Sequence, residues 1–335
     1  MKKIINNPEN IIPELMEGFV AGNSRYFEKV PGFNGILYKK RRQDKVTLVI
    51  GGGSGHEPIY SGIIGKGLGD ASVCGNIFAS PDPATICATA KAAHAGKGIL
   101  FVYGNYSGDN LNFDMAEEML RDEGLKTTHV RIMDDCASAP PERTEDRRGI
   151  AGNILMVRLA GAACDLGLSL EETAKIVEKA GLNLRSIGIA VSPGQLPGLD
   201  KPTFELGIDE MEFGMGLHGE PGVKRDKMRP ADEMVNVMYR YLIEDMPLAK
   251  GDEVAVLING LGCTTVLELS IVFRRVRQLL DASGVIIYDA DINSYSTSQG
   301  MGGFSISFLK LNPKIKELYN KPCFCPYYAK EGWNE

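Results

Sequence analysis

The sequence has little that would suit a membrane protein, a secreted protein or a nucleic-acid-binding protein. In its 335 residues, no apolar run approaches the roughly 18 residues that a membrane span requires. The N-terminus turns polar after Ile5, too early for the apolar region of a secretory signal. A net charge of −6 lacks the basic excess that nucleic-acid phosphates demand. We therefore expect a cytoplasmic protein with no membrane and no nucleic-acid partner.

Cysteines and acidic residues are not spaced like the ligands of a metal. The seven cysteines are odd in number, which favours a reducing compartment over a disulfide framework. Cys323 and Cys325 are one residue apart without a nearby histidine, which argues against zinc. Two pairs of acids follow predicted strands: Asp134 with Asp135, and Asp289 with Asp291. Solvated loop acids are the favoured interpretation over magnesium ligands, so we predict no bound metal.

Strand and helix patterns alternate along the chain. Residues 46–50 form a β-branched run typical of a buried strand, and residues 83–95 then have helical spacing. Continued alternation predicts a largely parallel sheet with helices on both faces. We predict two α/β domains, residues 1–183 and 184–335. The first is expected to be a three-layer sandwich with a largely parallel sheet, and the second a smaller domain with a mixed sheet.

Two local features lie between these patterns. Ser169 and Glu172 have the spacing of a capping box, which predicts a helix start at this point. Residues 134–148 are rich in proline and charged residues, which indicates a mobile loop.

The predicted strand at 46–50 runs into a glycine-rich turn, GGGSGHEP at residues 51–58. Open α/β sheets bind ligands where such strands end, and glycines let backbone N–H groups approach a ligand closely. The turn lacks the Lys-Ser/Thr of a nucleotide P-loop and fits the dinucleotide fingerprint poorly. A tight structural turn is an equally good interpretation of the glycines alone.

Two histidines and one aspartate could carry acid–base or nucleophilic chemistry. His56 lies in the glycine-rich turn, where we expect few apolar neighbours and no core role. Asp109 follows a second predicted strand, at the same edge of a parallel sheet, although it could simply cap the next helix. His218 is surrounded by glycines in residues 214–222, so we expect it to face a cleft; a structural imidazole bonded to a backbone carbonyl is the alternative. His94 and His129 lie in regular segments and are interpreted as structural.

Taken together, the motifs resemble those of the sugar-binding K subunit of dihydroxyacetone kinase. They occur in the family's order over nearly the whole chain: 51–58 (GGGSGHEP), 105–109 (NYSGD), 147–151 (RRGIA), 211–222 (MEFGMGLHGEPG), 257–264 (LINGLGCT) and 302–309. The resemblance implies a two-domain α/β fold, a homodimer, and a role in glycerol metabolism.

The resemblance also implies a mechanism for the candidate residues. His218 would attack the ketone carbon of dihydroxyacetone and form a covalent hemiaminal, with His56 and Asp109 as acid–base partners. The substrate loop would contain Gly53, Ser54 and Gly55. Bacterial members of the family often have lysine where this chain has Gly104. We include Gly104 among the substrate-binding residues, because a backbone contact would survive and a lost ammonium contact would change substrate preference.

In this family the nucleotide is bound by a separate all-α L subunit or by a C-terminal extension. We therefore expect no cofactor on this chain, and ADP or ATP with Mg²⁺ on the partner, recharged through a phosphotransferase relay or by exchange of ATP. The chain ends at Glu335 without such a helical domain, so we expect it to bind sugar but not to turn over alone. Two alternatives stay open: a dihydroxyacetone-sensing coactivator of the same fold, and a kinase subunit for a four-carbon ketose such as erythrulose.

Overall fold

The computed structural model describes residues 2–331, which form two compact units. The first unit contains Lys2–Ile132, Ile154–Ala180 and residues 314–331, and the second contains Met133–Asn153 and Gly181–Pro313. The chain therefore passes between units at 132/133, 153/154, 180/181 and 313/314. The sequence had suggested a single boundary at 183/184.

The first unit has a six-stranded sheet in the order β1-β2-β4-β3-β5-β6. Its strands are β1 (Phe27–Lys29), β2 (Gly35–Tyr38), β3 (Lys45–Ser54), β4 (Ala71–Ile77), β5 (Gly96–Gly104) and β6 (Thr127–Ile132). Strands β4, β3, β5 and β6 are parallel, whereas β1 and β2 pair antiparallel at one edge. Every residue of β3 is buried, which explains its continuous run of small and apolar residues.

Helices pack onto this sheet and set the position of the loops at its edge. They are α1 (Ile11–Gly22), α2 (Pro83–Ala93), α3 (Ser107–Asp122), α4 (Asn153–Cys164) and α5 (Leu170–Gly181). Helices α2 and α3 share one core cluster with alternate residues of β3 and β5, including Val49 and Phe101. The Tyr103 and Phe113 rings stack there with centroids 4.2 Å apart. This contact joins the end of β5 to α3. The predicted capping box is confirmed, because Ser169 and Glu172 bond each other's backbone N–H at 3.1 and 3.2 Å.

The second unit has a mixed sheet in the order β11-β10-β12-β7-β8-β9. Its strands are β7 (Leu184–Ser192), β8 (Glu210–Phe213), β9 (Lys224–Lys227), β10 (Glu253–Gly260), β11 (Ile286–Asn293) and β12 (Gly302–Leu311). Strands β10 and β11 are parallel and the other neighbours antiparallel. Helices α6 (Ala231–Asp245) and α7 (Val266–Ser283) pack in the core of this unit. The prediction of two α/β domains, one largely parallel and one mixed, is confirmed.

After the second unit the chain continues into α8 (Pro313–Tyr319) and a hairpin of β13 (Cys323–Cys325) and β14 (Tyr328–Lys330). The hairpin and most of α8 belong to the first unit, where the guanidinium of Arg158 lies 3.6 Å from the centroid of the Tyr319 ring. In residues 2–331, no helix is both long enough and apolar enough to span a membrane.

The charged segment at 134–148 is tied down by its own polar groups. Asp134 and Asp135 are buried, so the prediction that they are solvated loop acids is wrong. Asp134 accepts hydrogen bonds from the backbone N–H groups of Ile150 and Gly152, at 2.7 and 2.8 Å. Arg147 is also fully buried and pairs with Asp245 at the end of α6. Composition cannot distinguish a solvated loop from one whose charges are paired internally.

We predict that Arg147→Ala destabilises the protein by about 3 kcal/mol, the low end of the range for breaking a buried ion pair. Asp245 would keep its contact with Arg185 but lose both bonds from Arg147, while remaining largely buried. The measurement is urea unfolding followed by circular dichroism. Arg277→Ala removes an exposed pair with Asp281 and should leave the midpoint unchanged. Equal effects of the two substitutions would contradict this account.

Candidate functional site

The glycine-rich turn and Asp109 lie at the same edge of the first unit's sheet. Strands β3 and β5 are parallel neighbours, with Gly51 opposite Tyr103. The loops that follow the two strands therefore begin side by side. His56 follows the end of β3, and Asp109 lies in the first turn of α3, just after β5. This is the edge at which parallel α/β sheets bind ligands.

The turn is shaped by its backbone. A Cβ at Gly53 would lie 2.8 Å from the backbone nitrogen of Ala79, so only glycine fits. Gly55 has φ of +99°, a conformation that side chains disfavour. The Ser54 hydroxyl donates to the Gly75 carbonyl at 2.7 Å and thereby ties the turn to β4. These contacts fix the backbone of the three predicted substrate-loop residues.

His56 is buried, with 2% of its surface exposed, and its ring stacks on Phe78 with centroids 4.7 Å apart. The expectation that it would have few apolar neighbours is wrong, because the segment after β4 brings an aromatic ring to it. Phe78 and Tyr60 both have positive φ, at 56° and 66°. Such conformations are strained for bulky residues and cluster at functional sites.

Glu57 is a second ionisable group in the turn, and the sequence reasoning did not consider it. Its carboxylate accepts a hydrogen bond from the Gly55 N–H at 3.0 Å, which by itself would lower its pKa. Burial has the larger effect, so the pKa of Glu57 is raised. Its position directly after His56 in the glycine-rich turn could have pointed to it. Nearby Cys74 is not a nucleophile, because burial raises the pKa of its thiol to about 12.

Asp109 is buried inside the first turn of α3 rather than at its cap. The N-cap is Tyr106, whose side chain makes no capping bond, so the interpretation of Asp109 as an N-cap is wrong. A carboxylate in this turn is stabilised by the positive end of the helix dipole. Gly104 is buried at the end of β5, and its carbonyl accepts the Tyr106 N–H at 2.9 Å.

His218 belongs to the second unit, in the connection between β8 and β9. Its side chain is 26% exposed, and its Nδ1 lies 2.8 Å from Oε1 of Glu220. The other carboxylate oxygen accepts the His218 backbone N–H at 2.9 Å. The ring nitrogen thus bonds a carboxylate. The alternative interpretation of His218, a structural imidazole, had predicted a bond to a backbone carbonyl.

Glu220 determines which nitrogen of His218 carries the proton. Burial alone would raise its pKa, but the hydrogen bond and charge of His218, together with Arg148, lower it to about 2. An ionised carboxylate only accepts, so the neutral ring must hold its proton on Nδ1 and its lone pair on Nε2. Sequence reasoning missed Glu220, although it lies only two residues after His218, in the sequence HGE at 218–220.

Within residues 2–331, Asp114, Glu117 and His129 form the group that could hold a metal, with ligand atoms within 4.8 Å of one another. Both oxygens of Asp114 already pair with Arg131 at 2.8 Å, and His129 bonds Glu117. We interpret this group as an ion pair of Asp114 with Arg131 beside a hydrogen bond of Glu117 with His129, in agreement with a structural role for His129.

Comparison with known proteins identifies relatives over the whole chain. Residues 17–327 match the Dak1 domain. The dihydroxyacetone-binding subunit DhaK of PTS-dependent dihydroxyacetone kinase 2 from Listeria innocua is 41% identical over 98% of this chain and 99% of its own length. An L-erythrulose kinase from Pectobacterium atrosepticum is 36% identical, over 98% of this chain but 56% of its own length.

Two solved structures are similar in fold. Dihydroxyacetone kinase from C. freundii, in complex with AMP-PNP and Mg²⁺, superposes with a TM-score of 0.86 and 29% identity, covering 96% of this chain and 60% of that one. The dihydroxyacetone kinase operon co-activator DhaQ has a TM-score of 0.87 and 27% identity, covering 92% of this chain and 96% of that one.

We predict that Phe78→Ala makes His56 react faster with diethyl pyrocarbonate, because it removes the ring that covers the imidazole. The modification rate is measured by mass spectrometry of the peptide that contains His56. Phe324→Ala removes an exposed phenylalanine of the same unit and should leave the rate unchanged. An unaltered rate in the Phe78 variant would show that other groups bury His56.

Proposed function

Because the chain belongs to the Dak1 family, we propose that it is the dihydroxyacetone-binding subunit of a dihydroxyacetone kinase. The chemistry is transfer of a phosphoryl group to an alcohol group of a ketose. Coverage of the relatives supports the subunit assignment: the separate binding subunit from L. innocua is matched over 99% of its length, and the C. freundii kinase over 60%.

The observation that carries the proposal is the bond between His218 and Glu220, which leaves Nε2 with its lone pair. In the proposed step, Nε2 adds to the ketone carbon, a C–N bond forms, and the carbonyl π electrons move to oxygen. The ring gains positive charge, which the Glu220 carboxylate stabilises, and the alkoxide takes a proton from water. The hydroxide left behind takes the Nδ1 proton, so that the ring is neutral again. The product is a hemiaminal that glycerol, without a carbonyl, cannot form.

Covalent capture would also position the sugar for phosphoryl transfer, where orientation supplies much of the rate. The family resemblance assigns acid–base roles to His56 and Asp109, and we retain these roles in the proposal. Asp109 would accept the proton of the attacking hydroxyl, assisted by His56. Gly53, Ser54, Gly55 and Gly104 would contribute the substrate contacts.

The proposed partner is a nucleotide-binding L subunit that carries ADP or ATP with Mg²⁺. A homodimer and a cytoplasmic location are part of the same proposal. The phosphoryl group would reach the nucleotide through a phosphotransferase relay, as the name of the L. innocua relative suggests, or by exchange of ATP.

Two other functions are favoured by particular relatives. The L-erythrulose kinase supports a four-carbon ketose as substrate, for which Gly104 would leave more room than lysine. The co-activator DhaQ supports a sensor that binds the ketose without turnover. Competition between the two ketoses for adduct formation tests the first alternative, and phosphorylation in the presence of an L subunit tests the second.

We predict that the protein retains one dihydroxyacetone in native mass spectrometry and that His218→Ala abolishes this retention, because no nucleophile remains. His94→Ala changes a half-buried histidine at the end of α2 and should keep the adduct. Glycerol should give no adduct with any variant. A His218→Ala protein that still retains the sugar would disprove the hemiaminal.

We expect Asp109→Asn to keep the adduct but to lower turnover by about 10²- to 10⁴-fold, the usual contribution of a general base. Turnover is measured with ATP and a nucleotide-binding L subunit. Asp122→Asn, at the exposed C-terminal end of the same helix, is the matched control and should keep full activity. Equal turnover in the two variants would remove Asp109 from the mechanism.

A further inference from the structure

Arg148 connects two segments of the second unit that meet at His218. Its Nε and Nη2 lie 3.0 and 2.8 Å from Oδ2 of Asp135, which is fully buried. Its Nη2 also donates to the Gly214 carbonyl at 2.8 Å, immediately after β8. The guanidinium therefore attaches the turn that carries His218 to the segment at 134–148.

The third nitrogen of this guanidinium lies beside Glu220. A Cβ built on Gly216 would be 2.1 Å from Oε2 of Glu220 and 2.6 Å from Nη1 of Arg148. Both groups thus reach the same small space above Gly216, and their opposite charges attract each other there. The absence of a side chain at Gly216 is what allows the carboxylate and the guanidinium to approach.

These groups form a series from Asp135 through Arg148 and Glu220 to the ring of His218, in which Arg148 and Glu220 are linked by their shared position above Gly216 and by their opposite charges. A planar guanidinium suits this position, because it presents several donors in a fixed geometry while remaining charged. A lysine ammonium is a single point charge and would not reproduce the contacts to both Asp135 and Gly214.

We propose that Arg148 is a positioning residue that orients the Glu220 carboxylate, so that His218 keeps its proton on Nδ1 and presents Nε2 as the nucleophile. Arg148 acts through Glu220 and not on the substrate. The consequence for ketone capture rests on the proposed function, whereas the effect on the histidine tautomer does not.

The test measures the tautomer of His218 by two-bond ¹H–¹⁵N NMR correlation in the absence of ketone. The wild-type protein should show only the Nδ1–H form of the neutral ring, and Arg148→Gln should show a mixture of both forms. Ketone capture by Arg148→Gln should be about 10- to 100-fold slower, which is the loss found when a hydrogen-bond partner that orients a metal-binding side chain is removed. Arg277→Gln is the matched control, because it changes an exposed ion pair with Asp281 in the same unit, and it should keep the wild-type tautomer.

If Arg148→Gln does not fold because Asp135 loses its charge partner, Gly216→Ala provides the same test with all charges kept. Its methyl group must displace Glu220 or Arg148 and should also mix the tautomers. A wild-type tautomer in a folded Arg148→Gln or Gly216→Ala protein overturns the proposal. A wild-type protein that has the Nδ1–H form but captures no ketone would refute the proposed function and leave the role of Arg148 standing.

Discussion

The hydrogen bond between His218 and Glu220 is the interaction on which the proposed chemistry depends. A neutral imidazole has one donor and one acceptor nitrogen, and its surroundings choose between them. Here the Glu220 carboxylate, whose pKa is lowered by its bond to His218 and by nearby positive charge, accepts from Nδ1 and also from the backbone of the same residue. One side chain therefore binds both the ring and the backbone of His218, which fixes the orientation of the ring and its tautomer.

Keeping that carboxylate ionised in a partly buried place requires nearby positive charge. The second unit supplies it through the segment at 134–148, which forms two ion pairs with buried members: Arg148 with Asp135 of the same segment, and Arg147 with Asp245 of α6. A buried charge without a partner is costly, so each pair also stabilises the position of its segment. The polar composition of this segment thus serves the structure around His218.

The first unit solves a different problem, because its candidate residues must be presented at a sheet edge. Parallel pairing brings the ends of β3 and β5 together, and stacking of Tyr103 on Phe113 attaches α3 to the sheet. Asp109 is held in the first helical turn and His56 beneath Phe78. Both side chains are buried, so any acid–base chemistry they perform takes place away from bulk water.

Local patterns in the sequence were sufficient for the alternation of strands and helices, the Ser169–Glu172 cap and the glycine-rich turns that contain His56 and His218. These features depend on residues close together in the chain. The sequence could not reveal the stacking of Phe78 on His56, the burial of Asp134 and Asp135, or the position of Arg148 beside Glu220. Those contacts join segments that are distant in the chain, so only tertiary packing decides which polar groups are buried and which partners they find.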